Sequence, residues 1–214
     1  MSAFPLILSA PSGGGKTTIA RALLARRPDL GYSVSCTTRT PRPGEVAGRD
    51  YYFMSRAEFI AERERGAFAE SAEVHGNLYG TRRSEVERVL GGGQHVVMDI
   101  DVQGAVQFVR AFPQSVTIFI LPPSAEVLLD RLRARKTESS TQLAARLQSA
   151  LQELQQVGEY EYVVVNDDLE RAVSSAESIV DAEVVSRERV KNLRQQVGSL
   201  IERLEQEIES HNTP

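Results

Sequence analysis

Eight consecutive residues, Ala10-Pro11-Ser12-Gly13-Gly14-Gly15-Lys16-Thr17, have the types and spacing to hold a polyphosphate. Three glycines in a row let the backbone curl so that successive N–H groups converge on one anion with no side chain in the way. A helix opening near Lys16 adds its unsatisfied N–H groups and the positive end of its dipole. Lys16 can then reach the β- and γ-phosphates of a nucleoside triphosphate, and the Thr17 hydroxyl suits Mg²⁺. The run fits the phosphate-loop pattern except at Ala10, which stands where the pattern has its first glycine. A negative φ at Ala10 makes that exchange harmless.

A second anion site is suggested by residues 33–45, which are dense in hydroxyls and guanidinium groups. Arg39 and Arg42 can fork a phosphate dianion, because a planar guanidinium matches two phosphate oxygens at once. Pro41 and Pro43 stiffen the loop. Tyr51 and Tyr79 offer hydroxyls to the same phosphate and rings to pack beside it. A solvated basic turn has the same composition, so this loop does not decide the matter alone. Further on, residues 95–101 form an apolar strand closing on two acids, Asp99 and Asp101. At i and i+2 in a strand they share a face, at the carboxyl end where open α/β sheets bind ligands. Asp99 is the candidate to act on Mg²⁺ with Thr17, directly or through water; a pair of turn acids is the plain alternative.

The elements that must position these groups follow from periodicity. Residues 4–9 are an apolar run, broken by the glycine loop and followed by Ile19, Leu23 and Leu24 at helical spacing: strand, loop, helix. Residues 94–100, 115–121 and 162–166 are further short strand candidates, rich in Val and Ile and separated by helical patterns. This alternation predicts an α/β fold with a largely parallel sheet covered by helices on both faces. Residues 32–80 depart from it and predict an inserted antiparallel or mixed subdomain around one helix at 56–65. Residues 128–154 are helical, rich in Arg and Gln, and interrupted near 136–140, a break that can hinge a lid. Residues 187–210 predict one continuous helix, with Val190, Leu193, Val197, Leu200 and Leu204 three and four apart. That stripe can pack back on the domain or pair with a second subunit in a homodimer.

Bulk composition narrows the classes. The chain has 214 residues, 41% apolar and 25% charged, enough to bury one substantial core. A net charge of −4 gives no support to nucleic-acid binding through phosphate neutralisation. No apolar run is long enough for a membrane helix. Cys36 is the sole cysteine, which excludes an internal disulfide and points to a reducing, cytoplasmic setting. The three histidines lack metal-like spacing.

Taken together, the segments 9–18, 33–52, 76–81, 98–104 and 163–168 resemble the guanylate kinase family, in order and in spacing, across residues 4–184. The resemblance implies a phosphate-loop NTPase-type parallel core, a monophosphate-binding insertion and a helical lid, with Mg²⁺ and ATP as donor and GMP as acceptor. On that pattern residues 1–186 form the kinase-like domain, with the insertion at about 33–82 and the lid at about 125–155, and 187–214 are a helical extension. Ser12, Gly13, Gly14, Gly15, Lys16, Thr17 and Thr18 then belong to the ATP side. The resemblance places Ser35, Arg39, Arg42, Tyr51 and Tyr79 around the GMP phosphate, and Glu70, Thr81 and Asp101 on the base. Guanine presents N1–H and N2–H₂ as adjacent donors, which a carboxylate accepts together, whereas adenine has an acceptor at N1. The Thr81 hydroxyl can donate to guanine O6. Arg131, Arg135 and Arg146 match donor-side and lid arginines, Arg135 and Arg146 with a catalytic role beside Lys16, Arg39 and Asp99; helix-surface ion pairs are the alternative for them. Lys136 stands where the family has glycine. Asn166 matches an adenine-side position and equally suits a helix cap. Two rival functions remain: an inactive guanylate-kinase-like interaction module, and a kinase for a phosphorylated sugar. The intact Lys16 and glycines oppose the first, and Glu70 and Thr81 the second.

Overall fold

The computed structural model describes residues 2–74, 76–133 and 140–212. From the N-terminus, β1 (Pro5–Ser9) runs through the glycine loop into α1 (Lys16–Arg26) and on to β2 (Leu30–Tyr32). Next come β3 (Cys36–Thr37), β4 (Tyr52–Phe53), α2 (Arg56–Glu64), β5 (Phe68–Val74) and β6 (Asn77–Arg82). Then follow α3 (Arg83–Gly91), β7 (His95–Asp99), α4 (Val102–Ala111), β8 (Val116–Leu121), α5 (Ala125–Arg133) and α6 (Ser140–Gln155). A short 3₁₀ turn leads to β9 (Tyr162–Val165), α7 (Leu169–Val184) and α8 (Leu193–Asn212).

The core sheet has the order β2-β7-β1-β8-β9, and every pairing in it is parallel. All five residues of β1 are buried. Since neighbours along a strand face opposite ways, both faces are covered. Ile7 packs with Val86 and Val89 of α3 and with Ala105 and Phe108 of α4, in one cluster. The sheet therefore has the predicted α/β architecture, with one addition: β2 was not among the sequence-predicted strands. Three residues are too few to display a periodicity, and β2 exists because β7 offers it a parallel partner.

Between β2 and α3 lies a second sheet, of order β4-β3-β6-β5, parallel between β3 and β4 and antiparallel elsewhere. Its core is small: Cys36, Phe59, Phe68 and Leu78, with the Phe59 and Phe68 rings stacked at 4.5 Å. A Ser55/Glu58 capping box starts α2, so that helix carries its own N-terminal signal.

The chain divides into two compact units, Ala3–Glu177 and a second containing Ser2 and the stretch from Ser178 onward. In the second unit the expected continuous helix over 187–210 is not formed. Residues 185–192 are turns, and α8 begins only at Leu193, after Asn192 in the left-handed region. Arg189 pairs with Glu183 at 3.1 Å and donates its N–H to Ser186 O at 2.9 Å. These local bonds hold a turn where periodicity alone favoured helix, and they take Val190 off the apolar stripe. Among the described residues no helix is long and apolar enough to cross a membrane.

Candidate active site

The donor side is built mainly from main chain. β1 delivers the loop, and Gly13 and Gly15 take φ values of 85° and 94°, where a side chain is strained. Ala10 has no such conformation: among the described residues Asn192 is the only non-glycine with positive φ. Ala10 instead constrains its neighbour, because a Cβ on Gly14 would fall 2.7 Å from the Ala10 Cβ and 2.9 Å from Pro11 O. Gly15 caps α1 without a side-chain bond, and the first turn holds no acid. The N-terminal amides and the dipole thus remain available to an anion.

Side chains from just after β9, from α5 and from α6 approach this loop, among them Asn166, Arg131, Arg146 and Glu153. Asn166 is buried and donates from Nδ2 to Gly14 O at 2.9 Å. It therefore braces the loop, while the cap at the start of α7 is made by Asp168, whose Oδ1 accepts from Arg171 N at 2.9 Å. Arg131 lies on the cleft wall and donates to Asn166 O at 3.4 Å; its buried Nη1 has no hydrogen-bond partner among the described residues. An orphaned cationic donor on a cleft wall is what an anionic ligand would satisfy. Arg146 is buried on α6, with Nη1 on Leu132 O at 2.9 Å and Nε 3.4 Å from Ser12 Oγ. Arg135 and Lys136 lie outside the described residues.

Asp99 ends β7 and meets α1 at its first turn. The Thr17 hydroxyl donates to Asp99 Oδ2, and Tyr32 on β2 donates to Oδ1 at 2.6 Å. Burial and the adjacent carboxylate keep that phenol well above its usual pKa, so it stays a donor. Asp101 does not share the strand, contrary to the i, i+2 reasoning. It is the N-cap of α4, accepting from Gln103 N at 2.8 Å and Gly104 N at 2.9 Å. The chain turns at Ile100 because two helix amides need a partner, and Asp101 still lines the cleft.

The acceptor side is built from side chains of the second sheet. Glu70 on β5 is 4% exposed and accepts the Thr81 hydroxyl at 2.7 Å. Burial raises its carboxyl to about 7, against the Thr81 hydrogen bond and with help from the Asp101 charge. The same Thr81 oxygen lies 3.5 Å from Ser35 Oγ. A threonine has a single donor proton, and in this arrangement Thr81 gives it to Glu70. A Cβ on Gly104 would stand 2.6 Å from Glu70 Oε2, so α4 reaches the acid only because that residue is glycine. In the Arg-rich loop, Arg39 Nη2 grips Glu45 at 2.8 and 3.0 Å and its Nη1 donates to Thr40 O. The Arg39 guanidinium stands 5.4 Å from the Tyr51 ring, and that ring is edge-on to Tyr79 at 6.0 Å. Glu45 also accepts from Arg42 N at 2.8 Å.

Both halves open into one cleft of about 900 Å³. Ser12 through Thr18 form one wall with Arg131 and Arg146; Ser35, Arg42, Tyr51, Glu70 and Tyr79 form the other; Asp99 and Asp101 lie on it as well. Arg39, Thr81 and Asn166 contact wall residues: Arg39 the Tyr51 ring, Thr81 Glu70, and Asn166 Gly14.

The guanylate kinase family model matches residues 2–183. The chain belongs to the guanylate kinase family. It is 48% identical to a guanylate kinase of Rhizobium meliloti over 92% of this chain and 90% of that one. It is 45% identical to one of Aromatoleum aromaticum over 94% and 98%. A crystal structure of guanylate kinase from Anaplasma phagocytophilum superimposes with a TM-score of 0.77 at 36% identity, covering 92% of this chain and 95% of that one.

Within this guanylate kinase architecture, several participants escaped the sequence reading. Tyr32 and Gly104 carry no local signal, since each matters through a partner 67 or 34 positions away (Asp99 and Glu70). Glu45 was legible in principle: an acid three residues after Arg42, in a loop of guanidiniums, is a natural counter-charge.

Proposed function

We propose that this chain transfers the γ-phosphoryl group of ATP to GMP, and to dGMP, giving ADP and GDP. The observation that supports the reading is one cleft with the glycine loop and Lys16 on one wall and the buried acid Glu70 with Arg42 on the other. The phosphate of GMP falls to Arg39 and Arg42 with the hydroxyls of Ser35, Tyr51 and Tyr79, and its base to Glu70, Thr81 and Asp101. The Arg39–Glu45 pair must loosen or share its guanidinium to admit the phosphate.

The attacking GMP oxygen is already anionic, so no residue has to remove a proton, and positioning with charge stabilisation supplies the rate. One P–O bond forms to the γ-phosphorus as its bond to the ADP oxygen breaks. Lys16, Arg131, Arg135 and Arg146 neutralise the charge that spreads over the transferred group. Thr17 and Asp99, two hard oxygen donors in contact at the loop, fit Mg²⁺, which neutralises β- and γ-phosphate charge when bound. The region of α5 and α6 acts as the lid that keeps water out.

A free buried thiol at Cys36 supports a cytoplasmic site of action. Val197, Ile201, Leu204 and Ile208 on α8 are exposed with the 4-3-4 spacing of a coiled-coil seam, which supports pairing of two copies through that helix. ADP formation measured with GMP, AMP, UMP and CMP as acceptors tests the main reading; a preference for any acceptor but GMP overturns it.

A further inference from the structure

Two side chains of helix α6 meet the phosphate loop at Ser12. Glu153 Oε2 accepts the Ser12 backbone N–H at 2.8 Å. Arg146 holds Nε and Nη2 at 3.4 and 3.5 Å from Ser12 Oγ. Seven residues apart, the two side chains leave the same face of the helix.

Glu153 is badly placed unless that bond matters. It lies in the last turn of α6, where an acid opposes the helix dipole and no basic residue offsets it. Burial pushes its carboxyl above the ordinary range, with the Ser12 N–H as the largest opposing effect. It also lines the cleft on the donor side, where a carboxylate repels a triphosphate rather than binding it. Elsewhere α6 packs Leu143, Ala150 and Leu154 against Leu128 and Leu132 of α5, and Arg146 Nη1 donates to Leu132 O at 2.9 Å, which ties α6 to α5 and not to the loop. Apolar contact is non-directional and does not fix the helix along its own axis. A charge-assisted bond to a loop amide does.

We propose that Glu153 is a positioning residue that hooks α6 onto the phosphate loop at Ser12 and so keeps Arg146 aimed at the donor phosphates. The proposal rests on the reading of Arg146 as a donor-side arginine. A displacement of about 1 Å in such a group can cost about a hundredfold in rate, so the hook is kinetically significant even though Glu153 touches no substrate.

Steady-state kinetics on the full chain test it. Glu153→Ala is expected to lower kcat about tenfold or more and to raise KM for ATP, with KM for GMP within about twofold. Glu153→Gln keeps an acceptor oxygen of the same reach and should restore kcat to within about threefold of the parent. In a double-mutant cycle, adding Glu153→Ala to Arg146→Ala should cost little beyond Arg146→Ala alone. Strict additivity, a normal kcat in Glu153→Ala, or equal losses in the Ala and Gln variants would overturn the hook and leave the donor-side reading standing. A normal kcat in Arg146→Ala would bring down that reading and the hook with it. If Glu153→Ala is too unstable to assay, Glu153→Asp, which withdraws the carboxylate by one methylene, must show the same selective loss of kcat; parent-like kinetics there also overturn the proposal.

Discussion

On the proposed reading, the two walls of the cleft solve the same problem, holding a phosphate, with different materials. The donor wall is a continuous stretch of main chain, shaped by glycines at φ 85° and 94° and backed by an uncapped helix end. The acceptor wall is assembled from side chains on β3, β5, β6 and the loop after β3, and its key groups are already engaged with one another: Arg39 with Glu45, Glu70 with Thr81. A main-chain cradle reads charge and shape, which all nucleoside triphosphates share. A side-chain pocket can read one base, because its donors and acceptors differ from place to place. The contrast also separates the two by tolerance. In the loop a Cβ on Gly14 would collide with Ala10 and Pro11, one on Gly15 with Asn166, and Gly13 and Gly15 have positive φ; in the acceptor pocket a side-chain truncation removes one interaction and leaves the frame standing.

The sharpest way to break this division is Lys16→Met, since Lys16 is the single charged side chain in the loop. Turnover should fall by about three orders of magnitude, while GMP affinity by calorimetry stays nearly unchanged; a parallel loss of GMP binding would mean the walls are not separate. Arg39→Ala probes the other side and should raise KM for GMP about a hundredfold with little effect on KM for ATP. The reverse pattern contradicts the assignment of the two phosphates.

Glu70→Gln should reduce the preference for GMP over AMP by about ten- to a hundredfold, measured as the ratio of kcat/KM values. It also carries a pH signature. With its carboxyl at about 7 in the folded protein and 4.5 as the ordinary value, Glu70 binds more proton folded than unfolded between those limits. Its contribution to stability is therefore full below about 4.5 and is lost as pH rises through about 7. GMP, whose N1–H and N2–H₂ need the ionised carboxylate, should bind more tightly over the same rise. KM for GMP should accordingly fall between about pH 6 and 8 in the parent, and that fall should be reduced in Glu70→Gln. A profile identical in both proteins would assign the dependence to the phosphate alone.

The smallest effect expected is from Gly104→Ala, whose Cβ would stand 2.6 Å from Glu70 Oε2. Displacing the acid should raise KM for GMP several-fold and cost about 1–3 kcal/mol of stability by overpacking, with KM for ATP unaffected. Equal shifts for both nucleotides would show that α4 transmits strain across the cleft.

The difference in materials is also a difference in legibility. The loop from Ala10 to Thr17 announces its chemistry in eight letters, because neighbours in sequence become neighbours around one anion. The parallel sheet was equally plain, since buried strands read as short Val- and Ile-rich runs. On the acceptor side Arg39, Arg42, Tyr51 and Tyr79 were read from their chemistry, and Glu70, Thr81 and Asp101 only through resemblance; neither route foretold the partners, with Asp101 capping α4, Thr81 donating to Glu70 and, at the loop, Asn166 bracing Gly14. The helix over 187–210 failed because periodicity does not register a local ion pair between Arg189 and Glu183.

By itself, then, the sequence determined what depends on local order: the phosphate-loop pattern, the strand-and-helix alternation, and a second loop dense in guanidiniums and hydroxyls. Only the tertiary structure decided which partner each polar group takes, as with Tyr32 on Asp99 across 67 positions and Glu153 on Ser12 across 141. The physical reason is that a hydrogen bond depends on distance and direction in space, and separation along the chain says almost nothing about either.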